Sequence, residues 1–200
     1  MQVKKAIIYD FDKTIYSKET SITFMKYFLK KHPYLIFPFF INLIKILFNL
    51  FNLSKVKNIF FDIFKYNNPN EDIIDFWEKE INNIYPYFFN EISNNKKEAD
   101  ILILISASPD FLLKPLYKKL GFDILIATEY NNYSIVGKNC KGVEKLNRLN
   151  NLGAFHVLAF YSDSLSDKPL FDIADKKFSI VKGKKNIGLP KKNGLIDKWL

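Results

Sequence analysis

The segment YDFDKT places two aspartates, Asp10 and Asp12, one residue apart and directly after an apolar run at residues 3–9. Carboxylates this close raise each other's pKa, because each negative charge disfavours the other. Something must offset this repulsion, and a bound cation or a role in a reaction is the usual candidate. Asp10 and Asp12 are therefore the first candidates for a catalytic site.

Acidic and hydroxyl side chains also occur at the ends of later apolar runs that have the length of strands. Ser106 and Asp163 end two such runs, ILILIS and FHVLAFYSD, and Asp167 follows four residues after Asp163. In an open parallel sheet, ligands bind beyond the carboxyl ends of the strands, so these residues are predicted to face Asp10 and Asp12. Four carboxylates in one place need positive charge. Mg²⁺ suits them, because it prefers oxygen ligands and keeps several waters.

The segment NCKGVEKL supplies further positive charge. Its lysines, Lys141 and Lys145, lie four residues apart at the start of a predicted helix, and therefore on one helical face. One lysine beside the carboxylates would neutralise part of their charge, and both are candidates.

The elements that must position these residues form a predicted α/β fold. Apolar runs predict strands at 3–9, 101–106, 122–128, 155–163 and 177–181. Helical patterns lie between the later runs, at 109–120, 141–150 and 168–174. Alternating strands and helices indicate a Rossmann-like parallel sheet covered on both faces. Residues 17–95 are predicted to form an inserted helical domain, and residues 1–16 and 96–200 a discontinuous α/β core.

The composition excludes several other classes of protein. The formal net charge is +9, but the excess is lysine spread along the chain and Arg148 is the sole arginine, so we expect no nucleic-acid partner. With Cys140 as the one cysteine, no intramolecular disulfide forms, and its thiol is predicted to be buried. His156 lies in an apolar run and is also predicted to be buried. With no start typical of a signal peptide, these features favour a cytoplasmic location.

Residues 34–53 are nearly as long and apolar as a membrane span. However, Asn42, Lys45, Asn49 and Asn52 fall at helical spacing on one stripe, which predicts an amphipathic helix. The favoured interpretation is a helix whose apolar face packs into the insertion. The alternative is an interfacial helix that makes peripheral contact with a membrane.

The order of these segments resembles the haloacid dehalogenase superfamily, and within it the phosphoserine-phosphatase-like branch with a helical cap. DFDKT is similar to the first motif of the superfamily, SAS to the second, the lysine to the third and SDSLSD to the fourth. The helical stretch between the first two motifs is similar to the cap. Four motifs in this order form a more specific signal than a lone pair of aspartates.

The resemblance implies a role for each residue in phosphomonoester hydrolysis. Asp10 would be the nucleophile that forms an aspartyl-phosphate, and Asp12 the general acid–base group. Ser106 and a lysine would hold phosphate oxygens. The implied catalytic residues are Asp10, Asp12, Ser106, Lys141 and Lys145. The implied Mg²⁺ ligands are Asp10, Asp12 (through its main-chain carbonyl), Asp163 and Asp167. The implied substrate-binding residues are Glu19, Ser106 and Ala107.

Either of the two lysines could carry the third motif. A Lys-Gly pair, which carries it in phosphoserine phosphatases, matches Lys141 and Gly142. In related branches a cysteine, a glycine and a lysine three residues after the glycine carry it, and these match Cys140, Gly142 and Lys145. The second match is slightly preferred.

Asp12 distinguishes reaction classes within the superfamily. The resemblance implies that dehalogenases lack an acid here, since halide leaves without a proton, so Asp12 favours ester hydrolysis or phosphoryl transfer to an alcohol. We expect a Mg²⁺-dependent phosphatase that acts on a small phosphorylated metabolite. Alternatives are a membrane-surface lipid or polyprenyl phosphatase, a phosphotransferase, and a non-catalytic binding protein of this fold. The last is disfavoured because every acid needed for turnover is present.

The substrate is less well indicated. Glu19 matches the position at which phosphoserine phosphatases hold a glutamate for the substrate amino group. Those enzymes also use a cap arginine for the serine carboxylate, and residues 17–95 contain no arginine. The apolar cap and the segment YSDSLSDKPL are similar to bacterial membrane phosphatidylglycerophosphatases of the same superfamily. Lipid and sugar phosphates therefore stay open, and phosphoserine is disfavoured.

Overall fold

The computed structural model describes residues 3–191. Its strands are, in chain order, β1 (Lys4–Tyr9), β2 (Ile101–Pro109), β3 (Ile124–Thr128), β4 (Tyr130–Asn131), β5 (Ser134–Ile135), β6 (Phe155–Ser162), β7 (Lys176–Val181) and β8 (Lys184–Ile187). Six of them form one sheet in the order β3-β2-β1-β6-β7-β8, and β4 pairs with β5 in a separate hairpin. Within the sheet every pair is parallel except β7 with β8.

The helices of the described residues are α1 (Thr20–Lys31), α2 (Ile36–Leu47), α3 (Leu53–Phe61), α4 (Asn70–Glu80), α5 (Pro86–Glu98), α6 (Asp110–Leu113), α7 (Val143–Asn151) and α8 (Lys168–Ile173). The first five lie between β1 and β2, so a long helical segment separates two strands that are neighbours in the sheet. This is the predicted order of a sheet with a helical insertion after its first strand.

Helices cover both faces of the sheet, as continuous apolar strands require. Successive residues of β1 point to opposite faces. Ile7 and Tyr9 belong to a core that also contains residues of α1, α3, α4 and α5. Ala6 and Ile8 belong to a second core with residues of α7 and α8. The predicted α/β class with a mainly parallel sheet is confirmed.

Some local predictions differ from the structure. The helix predicted over 109–120 ends at Leu113 and continues as turns, because Pro115 has no N–H for the next helical hydrogen bond. Strand β8 was not predicted, since its sequence is polar. Lys182 and Gly183 form the tight turn before it with positive φ angles of 49° and 77°. Cys140 is buried as predicted.

The prediction for His156 was wrong. Its side chain is exposed, and its Nε2 lies 2.7 Å from Asp175. His156 pairs in register with Lys5, which is also exposed. Both residues lie at the start of their strands, before the buried part of each strand begins.

The predicted boundary after residue 95 falls inside α5. This helix packs on the sheet, where the Phe88 ring lies 5.6 Å from that of Tyr9 and Asn95 donates a hydrogen bond of 3.2 Å to the Tyr161 hydroxyl. We therefore propose that α5 belongs to the core and that the insertion comprises residues 17–85. The predicted core range also extends over residues 192–200, which lie outside the described residues.

Residues 34–53 do not form one helix packed by its apolar face, so the favoured interpretation of this segment was wrong. A 3₁₀ turn at Pro33–Leu35 precedes α2, and turns follow at 48–51. Asn42, expected on the outer stripe, is buried, whereas Phe37 and Phe48 are 74% and 84% exposed. The reason is that Asn42 faces α3, leaving much of the apolar surface outward. Within residues 3–191 no helix has both the length and the apolar character needed to cross a membrane.

Candidate active site

Asp10 lies at the carboxyl end of the central strand. Its N–H donates to the carbonyl of Tyr161 in β6 at 2.9 Å, which extends the pairing of β1 with β6 past Tyr9. Asp163 follows β6 directly, and Ser106 lies in the last part of neighbouring β2. The parallel arrangement therefore brings these residues to the same edge of the sheet, as the sequence predicted.

Lys145 joins two carboxylates at this edge. Its Nζ lies 2.7 Å from Asp10 Oδ1 and 2.7 Å from Asp167 Oδ2, and its side chain is 3% exposed. Helix α7 presents Lys145 from its first turn, after Gly142, whose φ of 57° favours glycine. Lys141 precedes this helix and is half-buried. Of the two candidate lysines, Lys145 is the one that contacts Asp10.

The electrostatics of this cluster reflect its burial. Removal from water raises the pKa of Asp10 to about 8, with contributions from Asp167 and Asp163 and an opposing one from Lys145. Burial also raises the pKa of Asp163 to about 6. For Lys145, burial favours the neutral amine, but Asp10 and Asp167 outweigh it and raise the pKa above its usual range. The site therefore holds more negative charge than one lysine offsets.

Asp12 has different surroundings from Asp10. Its Oδ1 accepts from the Thr20 N–H at 2.7 Å, at the start of α1, and its Oδ2 accepts from the Ser108 hydroxyl at 2.5 Å. Burial and the charge of Glu19 raise the pKa of its carboxyl, whereas these donors lower it. Asp12 is thus held between the second strand and the first helix of the insertion.

Ser108 and Asp167 both have side chains of the kind that caps helices, but each contacts the site instead. Ser108 donates to Asp12, and its N–H donates to Ser106 Oγ at 3.0 Å. Asp167 precedes α8 but its side chain makes no capping hydrogen bond. Its Oδ2 accepts from Lys145 and from Ser162, each at 2.7 Å. Both residues therefore position the site rather than a helix end.

Two further residues of the site were not predicted. Thr14 donates from Oγ1 to Asp10 Oδ2 at 3.2 Å and accepts from the Asp163 N–H at 2.9 Å, so it joins the first and fourth motifs. Thr14 is the last residue of the segment DFDKT, so its position in the sequence could have identified it as a residue of the site. The other residue is Lys57, which has no local sequence signal.

Lys57 reaches from α3 of the insertion to the end of β2. Its Nζ donates to the carbonyl of Ala107 at 2.9 Å and to Asn139 Oδ1 at 2.7 Å. Burial, against an opposing contribution from Asp12 and with a smaller one from Lys141, lowers its pKa to about 8. Among the described residues no carboxylate forms an ion pair with Lys57. A buried cation paired only with neutral oxygens suits an anionic ligand.

Glu19, predicted to bind substrate, forms an ion pair with Lys13. Both side chains are nearly half exposed. Lys13 has a φ of 57°, which is unusual for a residue other than glycine and turns the chain directly after Asp12. Glu19 is therefore close to the site but already has a cationic partner.

The oxygen atoms of the site suit Mg²⁺. Asp167 Oδ1 is buried and has no hydrogen-bond partner, which is costly for a carboxylate oxygen unless a cation or water meets it. Within residues 3–191 no three histidine, cysteine or acidic side chains form a ready-made metal cluster. A site of two carboxylates, a main-chain oxygen and water fits this finding and the preferences of Mg²⁺. Asp10, Asp163 and the Asp12 carbonyl supply such oxygens.

The parallel sheet, with acidic residues and a buried lysine grouped at the carboxyl ends of its strands, is the arrangement of a known family of hydrolases. The chain belongs to the haloacid dehalogenase-like hydrolase family, which it matches over residues 7–172. It is therefore a hydrolase of that family, as the order of its four motifs indicated.

Particular relatives are more distant. Protein CicA of Caulobacter vibrioides is 31% identical over 93 residues, which cover 42% of this chain and 42% of that protein. The match therefore spans less than half the length of this curated relative. The name of that protein states no activity, and the match by itself assigns none to the present chain.

Solved structures share the fold at low sequence identity. A protein of unknown function from Bordetella pertussis Tohama I has 17% identity and a TM-score of 0.72, with 89% of this chain and 90% of that chain covered. A phosphoserine phosphohydrolase-like protein from Francisella tularensis has 19% identity and a TM-score of 0.58, with 88% and 86% covered. A phosphoserine phosphatase in apo form has 18% identity and a TM-score of 0.56, with 95% and 94% covered.

Proposed function

We propose that the protein is a Mg²⁺-dependent phosphatase that hydrolyses a small phosphorylated metabolite through an aspartyl-phosphate on Asp10. The observation that carries the proposal is the contact of Lys145 Nζ with Asp10 Oδ1 at the end of the central strand. A nucleophilic carboxylate needs adjacent positive charge if it is to approach a phosphate anion, and a buried lysine is well suited to provide it.

In the first step, a carboxylate oxygen of Asp10 attacks the phosphorus atom, and the bond from phosphorus to the ester oxygen breaks. Asp12 gives its proton to the departing alkoxide, so that a neutral alcohol leaves. The raised pKa of Asp12 supports this role, because a proton must be present on the acid before the ester bond breaks. Lys145 and Ser106 are proposed to hold the phosphate oxygens.

In the second step, Asp12 takes a proton from a water molecule, whose oxygen then attacks the phosphorus atom and releases Asp10 and inorganic phosphate. Mg²⁺, when bound by Asp10, Asp163 and the Asp12 carbonyl, would neutralise charge on the phosphoryl group. We propose that Asp167 holds Lys145 in position and completes the surroundings of the ion.

The direct test is hydrolysis of an aryl phosphate by the purified protein. Activity is expected to disappear on treatment with EDTA and to return with Mg²⁺ but not with Ca²⁺, whose larger size and looser coordination misplace the ligands. Undiminished activity of the metal-free protein would contradict the Mg²⁺ requirement. No activity on any phosphomonoester, in protein that retains its fold and binds Mg²⁺, would favour the non-catalytic alternative.

Replacement of Asp12 by asparagine is expected to slow an alkyl phosphate more than an aryl phosphate. An aryloxide is a stable leaving group and needs little protonation, whereas an alkoxide leaves readily only when the acid protonates it. We expect roughly a hundredfold loss or more for the alkyl ester and a smaller loss for the aryl ester. The measurement is single-turnover release of alcohol, which isolates the first step. Equal losses for the two esters would argue against Asp12 as the acid.

Phosphoserine is expected to be a poor substrate compared with some other phosphomonoester. A charge-assisted pair to the serine carboxylate is worth about 1.5–3 kcal/mol, or roughly ten- to a hundredfold in specificity. The insertion offers lysines such as Lys57 for this contact but no arginine fork. The measurement is kcat/KM for phosphoserine against sugar, nucleotide and lipid phosphates. If kcat/KM is clearly highest for phosphoserine, a lysine must bind the serine carboxylate in place of an arginine.

A lipid or polyprenyl phosphate is the second candidate substrate. The observation that favours it is the outward position of the apolar residues of α2, of which Phe37 is 74% exposed. The same substrate panel distinguishes the two candidates when the lipid phosphates are presented in detergent micelles. The phosphotransferase alternative predicts that added alcohols increase the rate and receive the phosphoryl group.

A further inference from the structure

We propose that the outward side of α2 and of the turn after it docks on the surface of an anionic lipid bilayer. This apolar face is defined by six residues that are each more than half exposed, Phe37, Phe40, Leu47, Phe48, Leu50 and Phe51. The proposal concerns where the protein lies and does not depend on the proposed reaction.

The apolar face has no protein partner within residues 3–191. The opposite side of α2 is already packed, since Asn42 is buried and the Phe39 ring lies 5.6 Å from that of Phe60 in α3. A helix that is apolar nearly all round belongs in a core or in a membrane interface, and soluble monomers seldom expose contiguous apolar patches of this kind. A 12-residue helix does not reach across a bilayer, so it must lie along the surface.

Charge indicates which surface covers this face. Residues 20–61 contain no aspartate or glutamate and carry six lysines, at positions 26, 30, 31, 45, 55 and 57. Lys45, two residues before Leu47, and Lys55, four residues after Phe51, are both exposed. Phenylalanine and leucine flanked by lysine are typical of segments that lie in the headgroup region of anionic membranes. A symmetric contact between two copies would instead place these lysines near one another without acids to offset them.

The apolar face is close to the proposed site along the chain. Leu53, exposed at the start of α3, lies four residues or about one helical turn before Lys57. The Nζ of Lys57 donates to the Ala107 carbonyl at the end of β2. Docking through the apolar face would therefore hold the strand-end site near the bilayer.

The test is flotation of the full chain with vesicles of phosphatidylglycerol and phosphatidylcholine, and with vesicles of phosphatidylcholine alone. The wild-type protein is expected to float with the anionic vesicles, less at high salt and less with neutral vesicles. A double variant, Phe37→Ser with Phe51→Ser, is expected to float at least about tenfold less. The matched control, Leu152→Ser with Ile187→Ser, removes two exposed apolar residues elsewhere and is expected to float like wild type.

Several outcomes would overturn the proposal. One is absence of wild-type flotation, and another is equal flotation of wild type and the Phe37 and Phe51 variant. Equal binding to neutral vesicles would overturn the anionic preference. A concentration-dependent dimer in light scattering, lost in that variant and without flotation, would assign the apolar face to a second copy. Thermal unfolding separates these results from misfolding, because substitutions of exposed residues are expected to leave the melting temperature nearly unchanged.

Discussion

The Asp10→Asn variant is expected to lose hydrolysis of aryl phosphate by roughly a thousandfold or more. The neutral amide is a poor nucleophile toward phosphorus, so no covalent intermediate forms. Asparagine keeps nearly the same shape and retains an oxygen that can accept from Lys145, which limits disturbance of the site. The loss should therefore appear in kcat even when activity is measured well below the melting temperature of the variant, in which the buried contact with Lys145 has lost a charge.

A matched control is Asp72→Asn, which changes a buried carboxylate outside the site. Asp72 is paired with Lys31 and His32 in the insertion. Its replacement is expected to lower the melting temperature but to leave most of the activity at temperatures at which the variant is folded. A stability effect alone would affect both variants alike, whereas loss of the nucleophile affects Asp10→Asn alone.

The covalent step can also be observed directly. Acid quenching of the wild-type protein during turnover, followed by digestion and mass spectrometry, should show one phosphoryl group on the peptide that contains Asp10. The Asp10→Asn protein should show none. Substantial activity in that variant, or a phosphoryl group on another residue, would remove Asp10 as the nucleophile.

The Lys145→Ala variant is expected to lower kcat/KM by roughly a hundred- to a thousandfold. Lys145 is buried and contacts both Asp10 and Asp167, so its loss removes the positive charge beside the proposed nucleophile. Removing one member of a buried ion pair also destabilises the fold, by about 3–5 kcal/mol. Activity must therefore be measured well below the melting temperature of the variant.

Lys141→Ala is the matched comparison, since it removes the other candidate lysine four residues earlier. Lys141 is half-buried and lies outside the contacts of Asp10, so a loss of less than about tenfold is expected. Lys145→Met keeps the apolar stem without the charge and separates the loss of charge from the loss of packing. A larger effect for Lys141→Ala than for Lys145→Ala would transfer the third motif to Lys141.

The sequence alone determined the class of fold and the family. Continuous apolar runs such as 101–106 and 155–163 predict strands buried on both faces, and a parallel sheet brings their carboxyl ends to one edge. The positions of the acidic and hydroxyl residues at those ends therefore already predict that they lie together. That geometry depends on backbone hydrogen bonding and chain direction, which local sequence patterns predict well.

Contacts between elements distant in the sequence were decided by the tertiary structure. Lys141 and Lys145 lie on the same predicted helical face, and the packing of α7 on the sheet brings Lys145 to Asp10. Lys57 could not be predicted because its partner, the Ala107 carbonyl, lies 50 residues away in the chain. Such side-chain contacts depend on how helices pack on the sheet, and a periodic pattern carries no information about that packing.

The orientation of α2 was also decided by tertiary packing. Periodicity placed Asn42 on a polar stripe and predicted that this stripe would face water. In the structure Asn42 faces α3 and is buried, while Phe37 and Phe48 point outward. Because the helix is apolar on most of its circumference, its few polar residues determine its orientation only weakly. The packing partner decides which side is buried, and the sequence pattern of one helix cannot identify that partner.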